Sequence, residues 1–220
     1  MLYRAHSAAC LVVIFCGFAY GQESPSELRC PMGTNLKHDD PFHKQLASTV
    51  QLPAPCSGTL VTFEGRAANR KALVLTAGHC IGIGSVEFGA KAPGAGEVFK
   101  NFKQDNIFTV NTPRPELRKA CVGSSELVYA TLTEIDVAVY ELSETYQELE
   151  KRTGAVPLIV SRDSRVVPGL KLRAPSGLHE NEQACTLAAD VAKVKEFDWT
   201  WGPLMRLAGC TFIGGARAHH

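Results

Sequence analysis

The nine residues ALVLTAGHC at 72–80 decide how the rest of the chain is read. The apolar run 72–75 has the make-up of a short buried strand, and it stops at Thr76-Ala77-Gly78-His79-Cys80. A histidine at the end of a buried strand is held rigidly. The small residues before it leave room for a partner to approach the ring, and Cys80 offers a covalent tether beside it. Upstream, CSGTLVTF at 56–63 supplies a second cysteine and a second strand pattern. A disulfide between the two cysteines would close the hairpin that carries His79.

The start of the chain bears on whether that disulfide can form. Arg4 precedes an apolar core at 8–20 and a small-residue exit at 19–21, the pattern of a cleavable signal peptide over 1–21. The run is shorter than the roughly 20 apolar residues of a spanning helix, so no membrane association is expected after cleavage. Of eight cysteines, Cys10 and Cys16 leave with the signal, and Cys30, Cys56, Cys80, Cys121, Cys185 and Cys210 remain. An even number in an exported chain favours disulfides over metal, and the expected location is secreted or periplasmic. A net charge of +1 gives no basic excess to neutralise phosphates, which argues against a nucleic-acid partner.

Residues 22–52 are polar and carry Pro25, Pro31 and Pro41, which predicts an extended arm with room for a propeptide. Its HDDPFH at 38–43 has the residue types of a metal site in His38, Asp39, Asp40 and His43. Nothing in the spacing enforces convergence, so a solvated segment is the better reading and no metal or cofactor is expected. Short β-type runs follow at 59–63, 72–77, 86–88, 107–110, 127–132 and 136–142, separated by turn residues. Such spacing predicts a barrel or sandwich rather than βαβ units. After Ser143, ETYQELEKR at 144–152 reads as a capped surface helix. Further strands are predicted at 156–160, 170–174, 185–195 and 205–213, with Trp199 and Trp201 flanking a hairpin turn as packing aromatics.

Chemistry around His79 needs an acid to orient it. The segment EIDVAVYEL at 134–142 places Asp136 at the lip of an apolar strand, where burial and a histidine partner keep a carboxylate ionised. Other acidic residues lie in polar stretches, so Asp136 is the candidate.

CSGTLV, LTAGHC and DVAVYEL occur in the order and approximate spacing of the chymotrypsin and trypsin-like serine proteases, and the resemblance runs from Cys56 onward. The resemblance implies an all-β fold of two antiparallel barrels, the first over 53–160 and the second over 161–220, with the site between them. It also implies His79 as general base, Asp136 as its orienting acid, a Cys56–Cys80 disulfide beside the histidine, a protein or peptide substrate and a monomer. Cys185 with Cys210, and Cys30 with Cys121, are the expected remaining pairs.

The chain departs from that pattern at its far end. No serine follows Ser176, and GGARAHH at 214–220 stands where bacterial-type relatives of the family carry Gly-Gly-x-Ser-Gly-Ser-Pro. This alignment puts Gly215 at the oxyanion-hole glycine and Arg217 in place of the nucleophile. The codons AGC GGC TCA CCA encode Ser-Gly-Ser-Pro. Deleting the third base yields AGG GCT CAC CA, which reads Arg-Ala-His-His when a pyrimidine follows. A frameshifted or prematurely ended protease is therefore expected, with an open second barrel and no endopeptidase activity, because loss of the nucleophile from such a triad costs on the order of 10⁶ in turnover. Arg217 stays protonated and is no nucleophile, Cys210 reads as structural, and Ser176 reads as a loop residue. The competing expectation is a non-catalytic homologue that binds a partner through the same face. A small metal-binding protein using His38, Asp40 and His43 ranks far behind both.

Overall fold

The computed structural model describes residues 46–53, 56–81, 93–160, 167–196, 199–202 and 204–215. Strict in-and-out alternation builds its centre. In β6 (Lys119–Thr131) Ala120, Val122 and Ser124 point inward between half-exposed neighbours, and in β7 (Val137–Thr145) Ala138, Tyr140 and Leu142 do the same. With β1 (Thr49–Gln51), β2 (Ser57–Phe63), β3 (Lys71–Thr76) and β5 (Ile107–Asn111), these strands form a closed six-stranded antiparallel barrel. The order is β1-β5-β6-β7-β3-β2, and Val50 of β1, opposite both Gly58 and Val110, closes the ring.

Two further strands extend this sheet. β4 (Val98–Lys103) lies antiparallel on the distal half of β6, and β8 (Leu158–Val160) lies parallel to β2. Inside, Val50, Leu60, Val74, Phe108, Val122 and Tyr140 are fully or almost fully buried. Phe108 and Tyr140 meet edge to face at 5.0 Å. The helix α1 (Tyr146–Thr153) follows β7 directly. Its cap is Thr145 with Glu148 in a reciprocal capping box, two residues later than the Ser143 start expected from sequence, because β7 continues through Thr145 before the chain turns. Gly154 ends the helix at φ 74°, and the Tyr146 hydroxyl donates to Val61 O at 2.7 Å.

The remaining strands do not close among the described residues. β9 (Lys171–Ser176), β10 (Asn181–Val191) and β13 (Leu204–Gly215) form an open antiparallel sheet in the order β13-β10-β9, and β11 (Val194–Glu196) pairs with β12 (Trp199–Trp201) as a separate hairpin. Met205, Phe212 and Ile213 of β13 are each at least 42% exposed. The fold is thus all-β, a closed six-stranded barrel with two added strands, an open three-stranded sheet and a hairpin.

The open sheet is fastened to the barrel by the turn between β9 and β10. Lys119 pairs with the buried Glu180, and Ser176 Oγ lies 3.0 Å from Ser57 Oγ. A Cβ at Gly177 would stand 2.6 Å from Val50 O, so a larger residue there would push the two units apart.

The extended arm was expected to run to residue 52, but residues 49–51 are β1, since Val50 and Leu52 are buried against the barrel interior. The strand expected over 185–195 is two strands, β10 and β11, broken after Val191. Trp199 and Trp201 do not flank a turn; both lie in β12, opposite Glu196 and Val194. The strand expected at 86–88 lies outside the described residues.

Candidate functional site

β3 runs between β2 and β7 and delivers His79 at its end. Thr76 Oγ1 donates to Ser57 O at 2.8 Å, which locks the end of β3 to the start of β2. A 3-10 turn, Gly78–Ile81, then carries the histidine. Gly78 is required by close approach: a Cβ there would lie 2.1 Å from Thr131 O and 3.0 Å from Val137 O. Thr131 ends β6 and Val137 begins β7, so the glycine lets the histidine turn sit against the two strand ends that flank Asp136. The Cys56–Cys80 disulfide, with Cα atoms 6.0 Å apart, ties the same turn to the barrel from the other side.

Asp136 grips His79 twice. His79 Nδ1 lies 2.7 Å from Asp136 Oδ2, and the His79 backbone N–H donates to Oδ1 at 3.0 Å. Asp136 is 23% exposed in its side chain and His79 52%, so the carboxylate is sheltered and the imidazole reaches the surface. Burial pushes the Asp136 carboxyl up, but the hydrogen bonds from the His79 ring and backbone, the charge of His79 and the Gly78 N–H outweigh it, and the net is below its ordinary value. Asp136 therefore stays ionised at neutral pH and accepts from Nδ1–H. That tautomer leaves Nε2 as the basic nitrogen, the arrangement a general base needs.

A cleft of about 370 Å³ adjoins the pair, walled by Ser57, Gly58, Thr76 and Asp136 on the barrel and by Pro175 of β9 on the open sheet. Groups from both units therefore face one concave space.

The other candidate residues are distributed as follows. Cys185 and Cys210 form a disulfide between β10 and β13, which leaves Cys210 no thiol for attack on a carbonyl. Cys121 is also disulfide-bonded; Cys30, its expected partner, lies outside the described residues. Gly215 is the last residue of β13, in register with Asn181 of β10, and Arg217 lies outside the described residues. So do His38, Asp39, Asp40 and His43. Ser176 ends β9 rather than standing in a loop, and its Oγ accepts from His179 N at 3.2 Å. Donor atoms of Cys56, His79 and Cys80 lie within 4.8 Å of one another, but the two sulfurs are bonded to each other and so are not thiolate ligands.

Two residues at this site escaped the sequence reading. Trp201 Nε1 donates to Leu132 O at 3.0 Å and Gly202 N to Glu134 O at 2.8 Å, both within the link that carries Asp136. Their only trace in the sequence is a tryptophan followed by a glycine, and nothing local says which segment they meet.

No family model matches the chain, and no curated protein matches it.

Proposed function

We propose that the protein is a trypsin-like serine endopeptidase by construction of its site, with base and orienting acid in place and the nucleophile replaced. The double hydrogen bond of Asp136 to the ring and backbone of His79 carries this reading. In peptide hydrolysis of this type a hydroxyl attacks the scissile carbonyl while the histidine takes its proton. Here Nε2 of His79 accepts that proton, and Asp136 holds the ring and compensates the imidazolium charge. The same nitrogen then returns the proton to the leaving amine.

In the alignment with the family's motif Arg217 takes the nucleophile's place in the sequence, and a guanidinium neither attacks nor releases a proton to a histidine. With Arg217 the protein does not turn over. Gly215 is assigned as the oxyanion-hole glycine of the active form. The substrate class is protein or peptide, the protein acts as a monomer without cofactor, and its disulfides suit secretion or the periplasm. Among the described residues no helix is long and apolar enough to cross a membrane.

A second reading, a secreted binding protein that uses the protease-like face without catalysis, is favoured by Arg217 itself. Casein hydrolysis separates the two. The protein with Arg217 is expected to leave casein intact. The gene read in the frame that encodes Ser-Gly-Ser-Pro over 217–220 is expected to give a product that hydrolyses it, and His79→Ala is expected to abolish that activity. If no alternative frame encodes that motif, the catalytic reading fails and the binding protein stands.

A further inference from the structure

We propose that Trp201 and Gly202, at the end of β12, are positioning residues that hold Asp136 against His79. This rests on reading that pair as a general base with its orienting acid.

Asp136 is not set by the barrel strands alone. β6 ends at Thr131 and β7 starts at Val137, so the carboxylate comes last in the irregular link 132–136. Within that link Glu134 sits at φ 64°, a left-handed conformation that a residue with a Cβ adopts at a cost and keeps only where its surroundings enforce it. Part of the enforcement is local: Thr133 N donates to Thr131 Oγ1 at 2.9 Å, Ile135 N to Thr133 O at 2.8 Å, and Gly96 N to Thr133 Oγ1 at 2.7 Å.

The carbonyls of Leu132 and Glu134 are instead claimed by the hairpin. Trp201 Nε1 donates to the first at 3.0 Å and Gly202 N to the second at 2.8 Å, while Glu134 and Trp201 form a parallel bridge. The two donors thus grip the link on either side of Thr133, and Glu134 lies two residues before the catalytic carboxylate. Gly202 is also packed tightly within its own hairpin: a Cβ would stand 1.9 Å from Ala192 O. A hairpin outside the barrel therefore helps support an acid carried between two barrel strands. In this role Trp201 acts through the backbone of the link.

The test uses the protein with Arg217, because the readout is a proton and not turnover. The Nδ1–H of a histidine hydrogen-bonded to a carboxylate gives a low-field proton resonance whose exchange with water reports how firmly the bond is held. The wild type is expected to show this resonance and Asp136→Asn to erase it. Trp201→Phe keeps an aromatic side chain and removes the N–H; it is expected to speed exchange of the resonance at least about tenfold. Replacing Trp201 by its benzothienyl isostere, which holds the ring volume and lacks only the donor, is expected to do the same with the melting temperature of the barrel unchanged.

An unchanged exchange rate in both variants overturns the positioning role while the wild-type resonance keeps the His79–Asp136 pair intact. A wild type without the resonance, or one that keeps it in Asp136→Asn, overturns the pair itself and the positioning role with it. A variant that unfolds is distinguished by loss of the barrel's dispersed methyl signals, and the isostere then decides.

Discussion

A carboxylate held below its ordinary pKa stabilises the fold only while it is ionised, and this makes Asp136 visible in stability as well as in chemistry. Its folded value lies below the unfolded value of about 3.9, so its contribution is complete above that pH and is lost as pH falls through the folded value. Urea midpoints of the wild type and Asp136→Asn are therefore expected to differ at pH 7 and to converge below about pH 4. A gap that is constant from pH 7 to pH 3 would contradict the assigned ionisation. Gly78 offers a second test at this scale. Its missing side chain makes the space for Thr131 O, so Gly78→Ala is expected to overpack the turn and cost about 1–3 kcal/mol, read as a lower urea midpoint. The pairing of His79 with Asp136 and of Cys56 with Cys80 was legible in the sequence because each residue ends or begins an apolar strand. Trp201 was not, because its partner is a backbone carbonyl about 70 residues away, and backbone carbonyls carry no residue identity.

Among the elements, legibility followed the pattern of burial. β2, β3, β5 and β7 were recognisable because each is a short run rich in apolar residues, several of them buried. β4 (VFKNFK) escaped because it is exposed along nearly all of its length, so no alternation marks it. The first half of β6 escaped because its inward residues are Ala120, Val122 and Ser124, two of them small or polar, and the Ser124 hydroxyl is satisfied by donating to Gln104 O at 2.6 Å. The helix was found but its start misplaced: both Ser143 and Thr145 are cap-forming residues, and only the length of β7 chooses between them. The capping box is expected to be worth about 1 kcal/mol, so Thr145→Ala should lower the melting temperature by about 2–4 °C. Ser143→Ala should leave the cap intact, and an equal loss from both would misplace it.

At the scale of the whole molecule the two halves differ in what holds them. The barrel closes on itself around a buried core, whereas the second sheet leaves Met205, Phe212 and Ile213 exposed and leans on the Cys185–Cys210 disulfide, which spans 25 residues. Closing a loop of that length contributes about 3 kcal/mol in the chain-entropy account. Cys185→Ser with Cys210→Ser is therefore expected to make residues 181–215 protease-sensitive while the barrel stays resistant. Equal protection of both halves would show that the open sheet has support beyond this disulfide and its docking through Glu180.

In the proposed reading His79 is a competent base that has lost its nucleophile, and a fluorophosphonate probe tests this, because it bonds covalently to a hydroxyl activated by such a base. The protein with Arg217 is expected to remain unlabelled. The product of the frame encoding Ser-Gly-Ser-Pro over 217–220 is expected to be labelled at position 217, and its His79→Ala variant to lose the label. Labelling of the Arg217 protein at Ser57 or Ser176, sensitive to His79→Ala, would contradict the claim by placing the nucleophile elsewhere.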